Sequence, residues 1–243
     1  MAANLDKAEN QLSQVSDFAY LRAVDGSGNS VQISKANIAT ILGNHAQILR
    51  TGGVLIATRE SDGYPRFRQV DQAASYASTA VGVAIFEGGH LIIVAKDEQA
   101  KKWAESNVSG GNTAVGREGA LADFAGRTNT DTIVTTLGAN APAAQYCRGY
   151  YPSNVAADDA NFGAGRWWIP SAGELFTIWS HLLEVNRAMA AIGGTALDRS
   201  TWYWSSSEFS ATYAWYVYFY NGFLIYGRTK TSEGRVRPVS AFY

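Results

Sequence analysis

Cysteine occurs once in these 243 residues, at Cys147, so no disulfide forms within the chain and cysteine usage says nothing of redox compartment. Histidine occurs three times, at His45, His90 and His181, too scattered for zinc-ligand spacing without acidic help. Charge is scarce: 17% of residues are charged and the net charge is −1, which leaves no electrostatic footprint for nucleic acid or an anionic membrane. No apolar run reaches the roughly 18 residues that a membrane span needs, so no membrane insertion is expected. The first residues, MAANLDKAENQ, are polar and have no apolar core of a secretory signal. The expectation is a protein made in the cytoplasm that leaves, if it leaves, within a virion or by lysis. Catalytic patterns are missing too. There is no G-x-G-x-x-G, no phosphate-binding loop and no G-x-S-x-G turn, and Ser205–Ser207 lack a recognisable base. Cys147 sits among aromatics in QYCRGYY and reads as a buried structural thiol rather than a nucleophile. Asp158 and Asp159 read as a solvated pair rather than calcium ligands. No catalytic residue, metal or cofactor is assigned.

What is present is hydrophobic and aromatic surface. The chain is 47% hydrophobic, with 13 Tyr, 10 Phe and 7 Trp, most of them after residue 146. A chain of this length buries roughly 70% of its unfolded surface, enough for a real core in one large or two small domains. Residues 214–228, AWYVYFYNGFLIYGR, organise the rest. Side chains alternate along a strand, so Trp215, Val217 and Phe219 share one face and Tyr216, Tyr218 and Tyr220 the other. Asn221-Gly222 predicts a two-residue hairpin turn. That register sets Phe223 opposite Tyr220, Leu224 opposite Phe219 and Ile225 opposite Tyr218. Val217, Phe219 and Leu224 then form a core face. Tyr216, Tyr218, Tyr220, Phe223 and Ile225 form a second face, which is either another buried layer or a binding platform, with Tyr216, Tyr218 and Tyr220 exposed in the second case.

Along the chain, residues 1–50 read as a small unit: strands at 17–24 and 30–34, then a helix capped by Ser34. It is either an arm packed on the main domain or an oligomerising or docking module. Residues 51–74 read as a connecting segment. Strands are expected at 52–58, 81–86 and 90–96, and a helix over 97–106. Another helix is expected from a cap at Asn129 or Thr130 through Leu137, and one over 141–150. Trp167–Ile169 reads as a short strand. Ser171, three residues before Glu174, opens a helix as a capping box, which accounts for Glu174 without catalysis. The stripe from Leu175 to Met189 continues that helix to Gly193-Gly194. Trp202–Trp204 reads as a strand, SSSE as a polar turn, and 235–242 as one last strand.

WWIPSAGEL, WYWSSSE, AWYVYF and RVRPV together resemble the C-type-lectin-like fold of the formylglycine-generating-enzyme type. The resemblance is to variable proteins diversified by retroelements in phages and bacteria, over about residues 75–243. The N-terminal stretch looks like the start of tail-fibre-type proteins from phages of gut bacteria. The resemblance implies an α+β, loop-rich fold of twisted antiparallel sheets with two main helices, preceded by a small N-terminal module. Its variable region would fall at about 203–240. It implies scaffold positions at Trp204, Ser205, Ser206, Glu208, Ala214, Trp215, Val217, Phe219, Gly222, Arg235, Val236, Arg237 and Pro238. It implies variable, ligand-contacting positions at Tyr213, Tyr216, Tyr218, Tyr220, Asn221, Phe223, Ile225, Tyr226, Arg228, Thr229 and Thr231. Glu233, which fits adenine-directed codon change poorly, and Gly234 fall in the same stretch. The chain departs from calcium-dependent lectins, lacking their disulfides and acidic-Asn loop motifs, and from the formylglycine-generating branch, lacking its redox cysteines.

Three functions stand open on this reading. The first is a phage receptor-binding or tail-fibre adhesin, located in the virion tail, trimeric, recognising a bacterial surface protein or glycan. The second is a structural virion subunit that uses the tyrosine face for self-assembly. The third is an enzyme on the same fold, which needs converging ionisable groups that the sequence does not offer.

Overall fold

A computed structural model describes residues 20–24, 30–34, 53–61, 63–113 and 115–241. The chain divides into two compact units, Met1–Thr51 and Gly52–Tyr243. In the first, β1 (Tyr20–Val24) pairs antiparallel with β2 (Ser30–Ser34). The helix expected after Ser34 lies outside the described residues.

The second unit holds two five-stranded sheets. Sheet one contains β3 (Gly53–Arg59), β4 (Pro65–Arg68), β5 (Ala80–Glu87), β6 (His90–Ala95) and, at its edge, β12 (Val239–Ser240), in the order β12-β6-β5-β3-β4. The segment 51–74, expected as a connector, thus supplies two strands of this sheet. Sheet two runs β10-β9-β8-β11-β7, from β7 (Gln99–Lys102), β8 (Trp202–Glu208), β9 (Ala214–Tyr218), β10 (Phe223–Ile225) and β11 (Glu233–Val236). Among the described residues five α-helices accompany them: α1 (Arg117–Leu121), α2 (Gly126–Leu137), α3 (Pro142–Gly149), α4 (Ala172–Ser180) and α5 (Leu182–Ala191). This is the α+β, loop-rich architecture that the resemblance implied.

Sheet two lies between two cores. Tyr203, Trp215, Val217, Phe219 and Leu224 join Leu175, Ile178, Val185 and Met189 of α4 and α5, together with Ile56, Val83, Ile85 and Val94 of sheet one. Trp202, Trp204, Tyr216 and Val236, of opposite parity, join Ile133 of α2, Ala143, Ala144 and Cys147 of α3, and Trp103. A strand with helices on one side and a second sheet on the other is apolar on both parities, and this governs the site described below.

Several local expectations give way to pairing. Residues 97–106 are not helical: 99–102 form an antiparallel ladder with 233–236, and Trp103 behind them is fully buried, its indole N–H donating to the Ser205 carbonyl at 2.9 Å. A short polar run has little helical preference to set against an open sheet edge. SSSE is no turn but the second half of β8, buried throughout. Its hydroxyls carry their own partners: Ser205 Oγ donates to the Trp215 carbonyl at 2.8 Å and Ser207 Oγ to Asp123 Oδ2 at 2.6 Å. Such bonds remove the cost of burying them. The last expected strand, whose end at 242 lies outside the described residues, is split between β11 and β12, in different sheets. Pro238 has no N–H for a ladder, and the Arg237 guanidinium beside it is buried on Glu98 (2.6 Å), the Ala95 carbonyl (2.9 Å) and the Thr195 carbonyl (3.0 Å). Trp167–Ile169 makes one bridge, Trp168 with Val239, rather than a strand.

Helix α2 starts before its expected cap: Thr130 Oγ1 donates to the Gly126 carbonyl inside it, and Asn129 Nδ2 donates to Asp123 Oδ2. The stripe read as one helix is two, α4 and α5, meeting at His181. The capping box opens α4 as expected, with Glu174 Oε2 accepting from the Ser171 N–H at 2.8 Å. Burial nevertheless dominates this carboxyl and pushes its pKa up to about 7, against the hydrogen bonds from Ser171 and Trp168.

A raised carboxyl pKa makes the folded chain hold a proton that the unfolded chain has released, so stability falls as pH rises from about 4.5 to about 7. Urea titrations of the wild type and Glu174→Gln are expected to diverge across that window. The variant should gain up to roughly 3 kcal/mol relative to wild type by pH 8. A gap independent of pH would show that Glu174 titrates in the folded chain as it does in the unfolded one.

Candidate functional site

The hairpin of β9 and β10 is closed by four residues, 219–222, not two. Phe223 pairs with Tyr218, Leu224 with Val217 and Ile225 with Tyr216. Gly222 explains the difference. Its φ is +73°, and a Cβ there would lie 2.4 Å from the Trp179 ring. The loop is thereby seated on α4, where the Trp179 indole N–H donates to the Phe219 carbonyl at 3.2 Å. The register differs from the expected one by two residues. An even slip preserves faces, so Tyr216, Tyr218, Phe223 and Ile225 still share one side and Val217 and Leu224 the other.

Exposure corrects one expected position. Trp215, Val217 and Phe219 are buried, but so is Tyr216, only 4% exposed. Its ring packs edge-on against Trp204 and tilted against Trp202, centroids 5.8 and 4.9 Å away, in the core shared with Ile133 of α2 and Ala143, Ala144 and Cys147 of α3. The cover ends beyond it. Tyr218 and Ile225 are half-buried. Tyr220 is 77% exposed, Phe223 59% and Tyr226 40%. Three of the eight large hydrophobic residues exposed among the described residues thus fall within the seven positions 220–226.

The remaining expected positions fall around this tip. Asn221 is exposed, its Oδ1 taken by the Phe223 N–H at 3.1 Å. Tyr226 stacks on Phe209 at 3.7 Å and meets Trp215 edge-on, which places it on the other side of the hairpin from Ile225. Arg228 is exposed and lies over the Trp202 ring, 4.9 Å from its centroid, and donates to the Tyr218 hydroxyl at 3.2 Å. Half-buried Tyr213 bridges to half-buried Thr229, whose hydroxyl shares a hydrogen bond of 3.0 Å with that of Thr231. Glu233 is exposed in the ladder with Lys102. Gly234 is not free to vary: a Cβ there would lie 2.2 Å from the Trp202 ring. Sequence reasoning missed Trp202 as the floor beneath Arg228 and Phe209 beneath Tyr226. The shared parity of Trp202, Trp204 and Tyr216 becomes a signal only once the β8–β9 register is known.

Apart from Arg228, the ionisable groups that could suggest chemistry are engaged by the scaffold. Lys230 is fully buried with its Nζ 2.5 Å from Glu208 Oε2, 2.9 Å from the Val108 carbonyl and over the Trp103 ring. Burial pulls its pKa down, and Glu208 offsets that only in part. Glu208 Oε1 accepts from the N–H groups of Gly110 and Asn112. Arg235 and Arg237 both lie on Glu98, Arg237 buried and Arg235 part-exposed at 3.7 Å. Cys147 is buried and its thiol pKa is pushed well up by that burial. Asp159 is taken by Arg59 at 2.5 Å and by the N–H groups of Asn161 and Phe162. Burial works against ionisation there, but those bonds prevail and hold its carboxyl below the usual range. Among the described residues no group of three or more His, Cys, Asp or Glu is placed to hold a metal ion.

The Lcl C-terminal domain family matches residues 95–240, well over half of the chain. The chain belongs to the Lcl C-terminal domain family. The matched segment begins at the last residue of β6 and ends with β12. The Lcl C-terminal domain thus takes in all of sheet two, all five helices and the whole hairpin surface, while β3–β5 lie before it. No curated protein matches the chain. Among solved structures it resembles a fimbrial protein from Bacteroides ovatus ATCC 8483, with a TM-score of 0.57 at 16% identity, over 77% of this chain and 48% of that one. At that identity the likeness is one of fold, and this chain spans about half the length of the fimbrial protein.

Burial within the domain separates Tyr216 from its neighbours in a measurable way. Trp215→Ala and Tyr216→Ser are each expected to cost about 3–5 kcal/mol in denaturant unfolding. Tyr220→Ser should change stability by no more than about 0.5 kcal/mol. Equal losses for Tyr216→Ser and Tyr220→Ser would contradict the boundary drawn between core and surface.

Proposed function

We propose that this protein is a non-enzymatic binding protein whose hairpin tip, with Tyr218, Tyr220, Phe223, Ile225, Tyr226 and Arg228, contacts a bacterial surface target. The observation that carries this reading is the set of exposed aromatic side chains, Tyr220, Phe223 and Tyr226, on and beside a hairpin loop backed by Trp179 and Phe209 on one side of the sheet and by Trp202 on the other. Tyrosine and phenylalanine offer large, stiff contact area at low entropic cost, and paratopes favour such residues for that reason. The buried acids and bases are engaged in holding the fold, which supports a binding role over catalysis. The likeness to a fimbrial protein's fold suits a surface adhesin. Further within this proposal, the protein is a receptor-binding or tail-fibre component of a phage, carried in the virion tail. A retroelement diversifies Tyr213, Tyr218, Tyr220, Asn221, Phe223, Ile225, Tyr226, Arg228, Thr229 and Thr231, and no nucleic acid or cofactor takes part. A gene neighbourhood with a reverse transcriptase and a near-repeat of codons 203–240 would support that origin. A structural subunit that uses the same apolar tip for self-assembly is the second reading, favoured by the fimbrial likeness.

A library substituting Tyr218, Tyr220, Phe223, Ile225 and Tyr226 together tests the binding surface. Most members are expected to melt within roughly 10 °C of the parent, because three of these positions are exposed and two half-buried, each carrying little stability. Their binding to whole bacterial cells should be lost or redirected. Widespread unfolding would place these side chains in the core and remove the basis of the proposal.

Residues 1–50 are proposed to make the protein a homo-oligomer, a trimer by analogy with tail-fibre proteins. Light scattering should find a trimer for the full chain and a monomer for a chain shortened to begin at Gly52. Two monomers would end that assignment.

A further inference from the structure

Residues 209–232 contain no Asp or Glu and two basic residues, Arg228 and Lys230. Lys230 is buried against Glu208, so the stretch presents one solvent-facing charge, and it is positive. Arg228 is held rather than loose. Its guanidinium lies over Trp202, one nitrogen donates to the Tyr218 hydroxyl, and it abuts the buried Tyr216 phenol. Among the described residues no carboxylate stands within ion-pair distance of it. A guanidinium offers five N–H donors, and a stacked, planar one has already lost much of the freedom that binding would cost. On the same face of the hairpin lie Tyr218, which it touches, and beyond Tyr218 on β10 the side chains of Phe223 and Ile225, apolar or largely so.

We infer that this surface recognises a protein partner that presents an Asp or Glu side chain among apolar side chains, with Arg228 receiving the carboxylate. The inference rests on the binding role proposed for the hairpin. Two features favour a protein over a saccharide. Carboxylates that accept from neighbouring sugar hydroxyls are absent from this stretch, so a neutral saccharide finds no charged acceptor here. Exposed Phe223 and half-buried Ile225 lack any polar handle, as suits the apolar anchors of a protein interface.

A random peptide library displayed against the full-length protein tests this. Peptides recovered on the wild type are expected to share an Asp or Glu at one position flanked by aromatic or aliphatic residues. A synthetic copy should bind at least about tenfold more weakly to Arg228→Gln, the size of one charge-assisted bond. Arg228→Lys keeps the charge but loses the planar fork and should fall between. Arg228→Glu should reverse the selection toward Lys or Arg. Melting temperatures near the wild-type value for all three variants establish that the fold is intact, and Arg228→Lys carries the test should either of the others unfold. Peptides without an acidic position that nevertheless lose binding to Tyr220→Ser and Phe223→Ser would overturn this inference and leave the binding surface standing. Peptides indifferent to all of these substitutions would overturn both. Recovery of no peptide, or binding of 3′-sialyllactose that Arg228→Gln abolishes, would overturn the protein partner, the second in favour of an acidic sugar.

Discussion

The buried pair of Glu208 and Lys230 fixes the geometry on which the hairpin surface depends. Both side chains are out of water, their charged atoms 2.5 Å apart. A charge withdrawn from water is tolerated only when its remaining bonds are made. Here they are: the Val108 carbonyl and Trp103 ring serve the ammonium, and the Gly110 and Asn112 N–H groups serve the carboxylate. The end of β8, the loop at 108–112 and the segment leading to β11 therefore meet at one point. A second buried carboxylate, Glu98, accepts from Arg237 and from the Tyr203 hydroxyl at the other end of β8. Between these two anchors the chain passes through β11, and before the first of them it is free to leave the core as the hairpin.

That arrangement divides labour between charge and aromatic surface. The buried acids and bases are held in place as cross-links between distant segments. The side chains left to solvent at the tip are mostly aromatic or aliphatic, and they are backed by rings on both sides of the hairpin, Trp179 and Phe209 on one and Trp202 on the other. Trp179 packs under Gly222, Trp202 lies under Arg228, and Phe209 lies under Tyr226. Changing an outward side chain on such a floor disturbs contact area rather than packing. Changing Gly222 or Gly234 would disturb the floor itself, because each meets an indole ring at a distance that leaves no room for a Cβ.

The match to the Lcl C-terminal domain, over 95–240, begins where sheet one is nearly complete. Sheet one is closed only when β12 returns from the far end of the matched segment to pair with β6. The hydrophobic cluster of α4 and α5 likewise draws on both Ile56 of β3 and Val217 of β9. Strands β3–β6 are thus packed into the same core as the matched segment rather than forming an appendage to it.

The sequence by itself determined the elements whose signals are local. Alternation assigned Trp215 and Val217 to one face and Tyr216 and Tyr218 to the other, and a two-residue error in register left those faces unchanged because the period of a strand is two. The capping box at Ser171 and Glu174, the strands at 80–87 and 90–95, and the helix after Pro142 were legible for the same reason. Tertiary structure decided what depends on distant segments. Tyr216 is buried because Trp202 and Trp204 of β8 pack against its ring and carry it into the core that also holds Ile133 of α2 and the alanines of α3, which no pattern within 214–228 encodes. Residues 99–102 became a strand because β11 offered an edge, the serines of β8 entered the core because Trp215 and Asp123 accept from them, and 235–242 divided between two sheets at Pro238. The open length of the hairpin tip was decided by Trp179, forty residues away, through the space it leaves above Gly222. Side-chain parity is a property of a strand alone; burial is a property of what is packed against it.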